Sequence, residues 1–136
     1  MGGVAPDAPL VVDTATWLFW HADSPRLSAS ARALLRQALQ RPVCVSVVTA
    51  FEIATKVRLG KLAVPPELLH DFAYVVESDG FRLLPLEAAA SVRAGLLPGD
   101  HRDPFDRLLA AQTLEVEGAI ISPDAAFAAL GVPVVW

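Results

Sequence analysis

A chain of 136 residues with 54% apolar side chains forms one domain, long enough to bury a core without disulfides or other staples. Its formal net charge of −4 argues against a protein that coats duplex nucleic acid, yet leaves room for a nuclease whose clustered acids are neutralised by metal ions. No apolar run reaches the roughly 18 residues of a membrane span. The N-terminus MGGVAPDAPL has neither the basic region nor the apolar core of an export signal, so a cytoplasmic protein is expected. The single Cys44, inside PVCVSVV, excludes a disulfide framework and reads as a buried small hydrophobe.

Residues 1–9 read as a flexible tail, with a single domain over 10–136. Leu10 to Val12 is a short, wholly apolar run ending in Asp13, the pattern of a central parallel strand. Thr14 to His21 spaces Trp17, Leu18 and Trp20 for a helix packed back on the sheet. Ser28 or Ser30 caps a second helix whose apolar face is Ala31, Leu34, Leu35, Ala38 and Leu39, and Pro42 stops it. Val43 to Val47 is a second strand. Thr49 then opens a helix that ends at Gly60 as a left-handed cap, with Phe51, Ala54 and Val57 at helical spacing. On it, Lys56 follows Glu52 by one turn, which taken alone is a surface ion pair.

Glu67 to Ser78 reads as one helix with Leu68, Leu69, Phe72, Val75 and Val76 on its core face, and Asp79-Gly80 as a turn. Phe81 to Leu84 is a third strand and Glu87 to Leu97 a helix. In HRDPFDRLLAAQ, Asp103 before Pro104 reads as an N-cap with proline at the first helical position, and that helix ends at Gly118. Asp106 stands where an acid can complete a capping box. Ala119 to Ile121 is a fourth strand, Ala125 to Leu130 a short helix, and Val132 to Val135 a fifth strand. The alternation predicts a three-layer α/β domain with a central parallel, roughly five-stranded sheet flanked by helices.

In such sheets ligands bind beyond the carboxyl ends of the strands, where strand order reverses. Asp13 and Asp124 follow strands directly, and Glu52 and Asp106 lie early on helices that start at that edge. Each acid has a purely structural alternative: Asp13, Asp103 and Asp124 as caps, Asp106 as a cap partner, Glu52 as a surface acid. Together they crowd one edge, and crowded carboxylates need positive charge between them. Oxygen ligands without a His/Cys cluster select magnesium or manganese, ions suited to assisting phosphodiester hydrolysis.

The blocks LVVDTATWLFW, SVVTAFEIATKVRLGKL, HRDPFDRLLAAQ and ISPDAAFAALGVPVVW, in this order and spacing, resemble the PIN-domain family, and within it the VapC-type toxins of toxin–antitoxin pairs. The resemblance runs from about Leu10 to Trp136. It implies an endoribonuclease dependent on Mg²⁺ or Mn²⁺, held inactive by a cognate antitoxin and prone to homodimerise. Its acid quartet maps onto Asp13, Glu52, Asp106 and Asp124, with Asp103 as a supporting or metal-proximal acid. Thr14 and Ser46 match polar positions near that site. Ser122-Pro123 departs from the usual threonine followed by a polar or basic residue, which makes Asp124 the least secure member.

Lys56, Arg58, Lys61, Arg102 and Arg107 are then candidates for RNA phosphate contacts at the rim. His101 is expected to pack its loop, with a rim contact as the alternative, and Trp17 and Trp20 to serve the core or a dimer surface rather than stack bases. Two other classes fit less well. A PIN-like RNA- or protein-binding module without catalysis would be expected to have lost acids. An aspartyl-nucleophile phosphatase or dehalogenase needs a second acid two residues after Asp13, where Ala15 stands. No G-x-G-x-x-G or P-loop follows any strand.

Overall fold

A computed structural model describes residues 5–136. Five strands, β1 (Leu10–Val12), β2 (Val43–Ser46), β3 (Arg82–Leu84), β4 (Ala119–Ile121) and β5 (Val134–Val135), form one sheet in the order β3-β2-β1-β4-β5. Every pairing is parallel, with Val11 opposite both Cys44 and Ile120. The three central strands are buried along their whole length, which is why LVV, VCVS and AII carry no alternating polar residues. The edge strands β3 and β5 are short and only partly buried, a form that discourages pairing with another chain. The chain runs outward from β1 to β2 and β3, then returns to the other side of β1 for β4. Strand order therefore reverses between β1 and β4.

Helices α1 (Thr14–His21), α2 (Ala29–Leu35), α3 (Val47–Arg58), α4 (Glu67–His70), α5 (Phe72–Ser78), α6 (Ala88–Leu96), α7 (Pro104–Glu115) and α8 (Ala126–Ala129) cover the sheet. Side chains alternate across it, as the pleat requires. Leu10, Val12, Ala119 and Ile121 join Trp17, Leu35, Ile53 and Val76 in one core, while Ile120 joins Leu109, Ala110 and Phe127 in the other. Ala90 and Ala94 of α6 meet Ala111 of α7 in a third, small-residue contact. Among the described residues, no helix is long and apolar enough to cross a membrane.

Several elements depart from expectation. Residues 1–4 of the predicted tail lie outside the described residues, but 5–9 are tied down: Arg41 donates to the carbonyls of Ala8 (2.5 Å) and Ala5 (3.2 Å). Helix α3 begins at Val47 rather than Thr49, because the Ser46 hydroxyl caps the Val48 N–H at 2.9 Å. Its buried face is Val48, Thr49, Glu52 and Ile53, which leaves Phe51 exposed against Phe105. The predicted helix over 67–78 breaks at Asp71, whose ψ of 37° leaves the helical region. Helix α2 stops at Leu35, so Leu39 is exposed and not on its core face.

The end of α7 is closed by Glu117, not Gly118: Glu117 takes the left-handed φ of 54° while Gly118 N–H donates to Thr113 O at 3.0 Å. Gly118 is needed for a different reason. A Cβ there would stand 2.2 Å from the Pro9 carbonyl oxygen, which itself accepts the Ala119 N–H at 3.1 Å. Gly118→Ala should therefore push β4 away from the strand-leading segment and lower stability by about 2–4 kcal/mol in urea unfolding; an unchanged midpoint would show that this approach is not tight.

Candidate functional site

Each acid is placed by the element that carries it. Asp13 ends β1 and caps α1: one carboxylate oxygen accepts the Thr16 N–H (2.8 Å) and the other the Ser122 hydroxyl (2.5 Å). Burial raises its pKa above the ordinary value. The Ser122 and Thr16 donors pull it back, and the charge of Glu52 adds to the rise. Glu52, one turn into α3 and nearly fully buried, accepts from Thr14 Oγ1 (2.7 Å) and from Lys56 Nζ (2.5 Å). Thr14 Oγ1 also lies 3.1 Å from Thr49 Oγ1. The pair foreseen as a surface contact is thus anchored on a buried carboxylate, and that bond, ahead of all other causes, raises the Lys56 pKa.

Asp103 caps α7 as expected, accepting the Phe105 N–H at 2.9 Å and the Asp106 N–H at 3.4 Å, with Pro104 at the first helical position. Asp106 points to His101 Nε2, 2.9 Å away, so His101 is a partner of an acid as well as a loop residue. Burial is the main reason the Asp106 carboxyl is pushed up to about 6, opposed by the His101 hydrogen bond and reinforced by the nearby Asp103 charge. Asp124 is exposed just past β4. Its carboxylate accepts the Ala126 N–H (2.9 Å), and its own N–H donates to Ser122 Oγ (3.0 Å). One hydroxyl, that of Ser122, thereby links Asp13 to Asp124.

Asp13, Glu52, Asp103, Asp106 and Asp124 all line one open cavity of about 400 Å³, together with Lys56 and Lys61. The cavity lies at the carboxyl edge of the sheet, where strand order reverses. Five carboxylates against two ammonium groups leave a negative excess of hard oxygen donors, a composition that fits a magnesium- or manganese-type cation. Among the described residues, no three His, Cys, Asp or Glu side chains close on one point as they stand. Each of the five carboxylates has at least one hydrogen-bond partner within the protein.

The other basic candidates are placed elsewhere. Arg107 is committed to main-chain carbonyls, those of Ala94 (3.0 Å), His101 (3.0 Å), Gly95 (3.4 Å) and Leu97, and so is a strut between α6 and α7 rather than a free phosphate contact. Arg102 borders a groove between α6 and the start of α7, and exposed Arg58 ends α3; neither lines the acid cavity. Ser46 is buried and bonded to Gln112 Oε1 (2.5 Å), away from the cavity lining. Trp17 is core, with its ring against Phe72, and Trp20 donates to Asp79 at the opposite edge of the sheet. Sequence reasoning missed Ser122 and Thr49 as donors around the acids. Thr49, three residues before Glu52 on one helix, was detectable by spacing; Ser122, 109 residues from Asp13, was not.

A three-layer parallel domain with an acid-lined cavity at its switch point is the architecture of a PIN domain, and the family's sequence pattern matches residues 10–133: the chain belongs to the PIN domain family. Among solved structures it is similar to VapBC2 from Rickettsia felis bound to a promoter DNA fragment, with a TM-score of 0.69 at 12% identity over 93% of this chain and 97% of that one. VapBC from Salmonella typhimurium bound to DNA gives 0.68 at 15% identity, over 94% and 97%. FitAcB from Neisseria gonorrhoeae gives 0.64 at 19%, over 93% and 96%. At these identities the likeness is one of fold. No curated protein matches the chain in sequence.

The raised Asp106 pKa has a sign that can be checked. With a folded value of about 6 against 3.8 unfolded, the native state binds the extra proton between those limits, so stability falls as pH rises through that window. In metal-free buffer Asp106→Asn should remove this slope and gain up to about 3 kcal/mol over wild type at pH 7, less where solvent screens the partly exposed carboxyl, the gap falling below about 1 kcal/mol near pH 4. Parallel urea titrations at the two pH values would refute this if the gap were the same at both.

Proposed function

We propose that this chain is a metal-dependent endoribonuclease and the toxin of a toxin–antitoxin pair. The observation that carries this reading is the meeting of Asp13, Glu52, Asp103, Asp106 and Asp124 on one cavity at the switch point of a PIN fold. Asp13, Glu52 and Asp106 are the residues to hold Mg²⁺ or Mn²⁺, directly or through water, with Asp124 completing the set and Asp103 supporting it from the helix cap. The cation supplies positive charge that offsets the acids and stabilises charge developing on a phosphodiester.

The protein's own groups do the rest. Asp106, on the cavity and held on its other side by His101, is suited to accept the proton of the attacking water. The hydroxyls of Ser122 and Thr14 fix Asp13 and Glu52, so the oxygens facing the cavity are in place before substrate arrives. Lys61, exposed on the cavity lining, and the exposed Arg58 and Arg102 beyond it are candidates for RNA phosphate contacts. The fold shared with VapBC and FitAB supports a cognate antitoxin as partner, and the exposed Phe51, Tyr74, Val92 and Leu96 supply apolar surface for that partner or for a homodimer. Action in the cytoplasm belongs to the same reading.

Thermal unfolding against manganese concentration tests the cavity without knowledge of the RNA. A ligand bound only by the folded state adds roughly 2.7 kcal/mol at about 100 times its Kd, so wild type should show a graded rise in Tm that Asp13→Asn and Asp106→Asn lose. Asp106→Asn should also lower RNA hydrolysis by about a hundredfold or more while the chain remains folded. Cleavage by that variant at the wild-type rate would rule out this site.

A further inference from the structure

We propose that Lys56 is a built-in counter-ion of the acid cavity, and that its ammonium group must leave Glu52 before a divalent cation can settle there. The inference rests on the reading of this cavity as a metal site and adds to it a competitor carried by the chain itself. Lys56 sits one helical turn after Glu52 on α3, and its Nζ is 2.5 Å from Glu52 Oε2. The two partners are unequally held. The Glu52 side chain is only 6% exposed, and its second oxygen is gripped by Thr14 Oγ1 at 2.7 Å. The Lys56 side chain is 43% exposed on a flexible four-carbon stem. The carboxylate is therefore fixed, and the ammonium is the partner free to move.

A buried carboxylate left without a positive partner is strongly destabilising, and Lys56 is the cationic side chain bonded to Glu52. The ammonium also feels the charges of Asp103 and Asp106, which face it from α7 across the cavity. It thus stands among the acids that a divalent ion would have to approach. Two cations at contact distance repel, so occupancy of Glu52 Oε2 is an exchange: the ion enters as the ammonium swings out. Lys61, which lines the same cavity, is exposed and bonded to none of these acids through its side chain. It does not share this role.

The consequence is that the chain binds divalent cations more weakly than its acids alone would allow. In calorimetric titration of the full chain, stripped with chelator, with manganese chloride, Lys56→Met should bind manganese about tenfold or more tightly than wild type. Lys56→Arg, which retains the charge, should stay near the wild-type value. In chelator alone Lys56→Met should melt below wild type, because Glu52 is then unpaired, and saturating manganese should close that gap. Should Lys56→Met fail to fold, Lys56→Gln, which can still donate to Glu52 without charge, serves in its place.

If wild type binds manganese in a manner lost in Asp106→Asn, yet neither neutral variant binds it more tightly, the metal site stands and Lys56 is not its competitor. Weaker binding in the neutral variants overturns the proposal too, and makes Lys56 a positioning residue for Glu52. Absence of uptake by wild type and by both neutral variants would remove the metal reading itself.

Discussion

The governing constraint is electrostatic: Asp13, Glu52 and Asp106 are wholly or partly withdrawn from water at one edge of a sheet whose central strands are apolar up to that edge. A buried carboxylate is tolerated only where donors replace its hydration, and nearly every polar contact around the cavity answers that requirement. The Thr16 N–H and the Ser122 hydroxyl serve Asp13, Thr14 and Lys56 serve Glu52, and His101 serves Asp106. The donors come from β1–α1, α3, the α6–α7 loop and the end of β4. Meeting the needs of these acids thus ties the two halves of the sheet together at the point where its strand order reverses.

The same partners set where each carboxylate stands around the cavity. Each bond to the protein draws a carboxylate toward its own element: Asp124 into its turn, Asp103 onto its helix cap, Asp106 toward its loop. Burial leaves Asp13 and Asp106 with raised proton affinity. A cavity of this kind is electrically unsatisfied while remaining geometrically ordered. That combination favours a cation and the charge it would neutralise over any uncharged ligand.

The fold and the acids were legible because both follow from short-range signals. Wholly apolar triplets ending in a polar residue mark parallel strands, and a parallel sheet carries the residues after its strands to one edge. Departures arise where long-range contacts outweigh local pattern. Val47 and Val48 have the β-branched character of a strand, yet they begin a helix because the Ser46 hydroxyl caps it and is itself held by Gln112 from α7. Gly118 resembles a helix cap, yet its need for a bare Cα comes from the Pro9 carbonyl. Arg107 has the composition of a phosphate ligand, but its donors go to carbonyls that no spacing rule would bring near it. The Ser122 bond to Asp13 spans 109 residues and is invisible to any local pattern.

The Arg107 strut bears on how this architecture can diversify. Its guanidinium holds the end of α6 and the segment that follows it through carbonyl oxygens of Ala94, Gly95, Leu97 and His101, groups that every amino acid possesses. The exposed side chains of Pro98, Asp100 and Arg102 are therefore released from the task of keeping that segment folded, whereas Leu97 packs into the core and His101 holds Asp106. Substitution at those positions can redraw the surface next to the cavity while the backbone path into α7, and with it the station of Asp103 and Asp106, is preserved. The strut separates the part of the molecule that must stay constant from a neighbouring part that is free to vary.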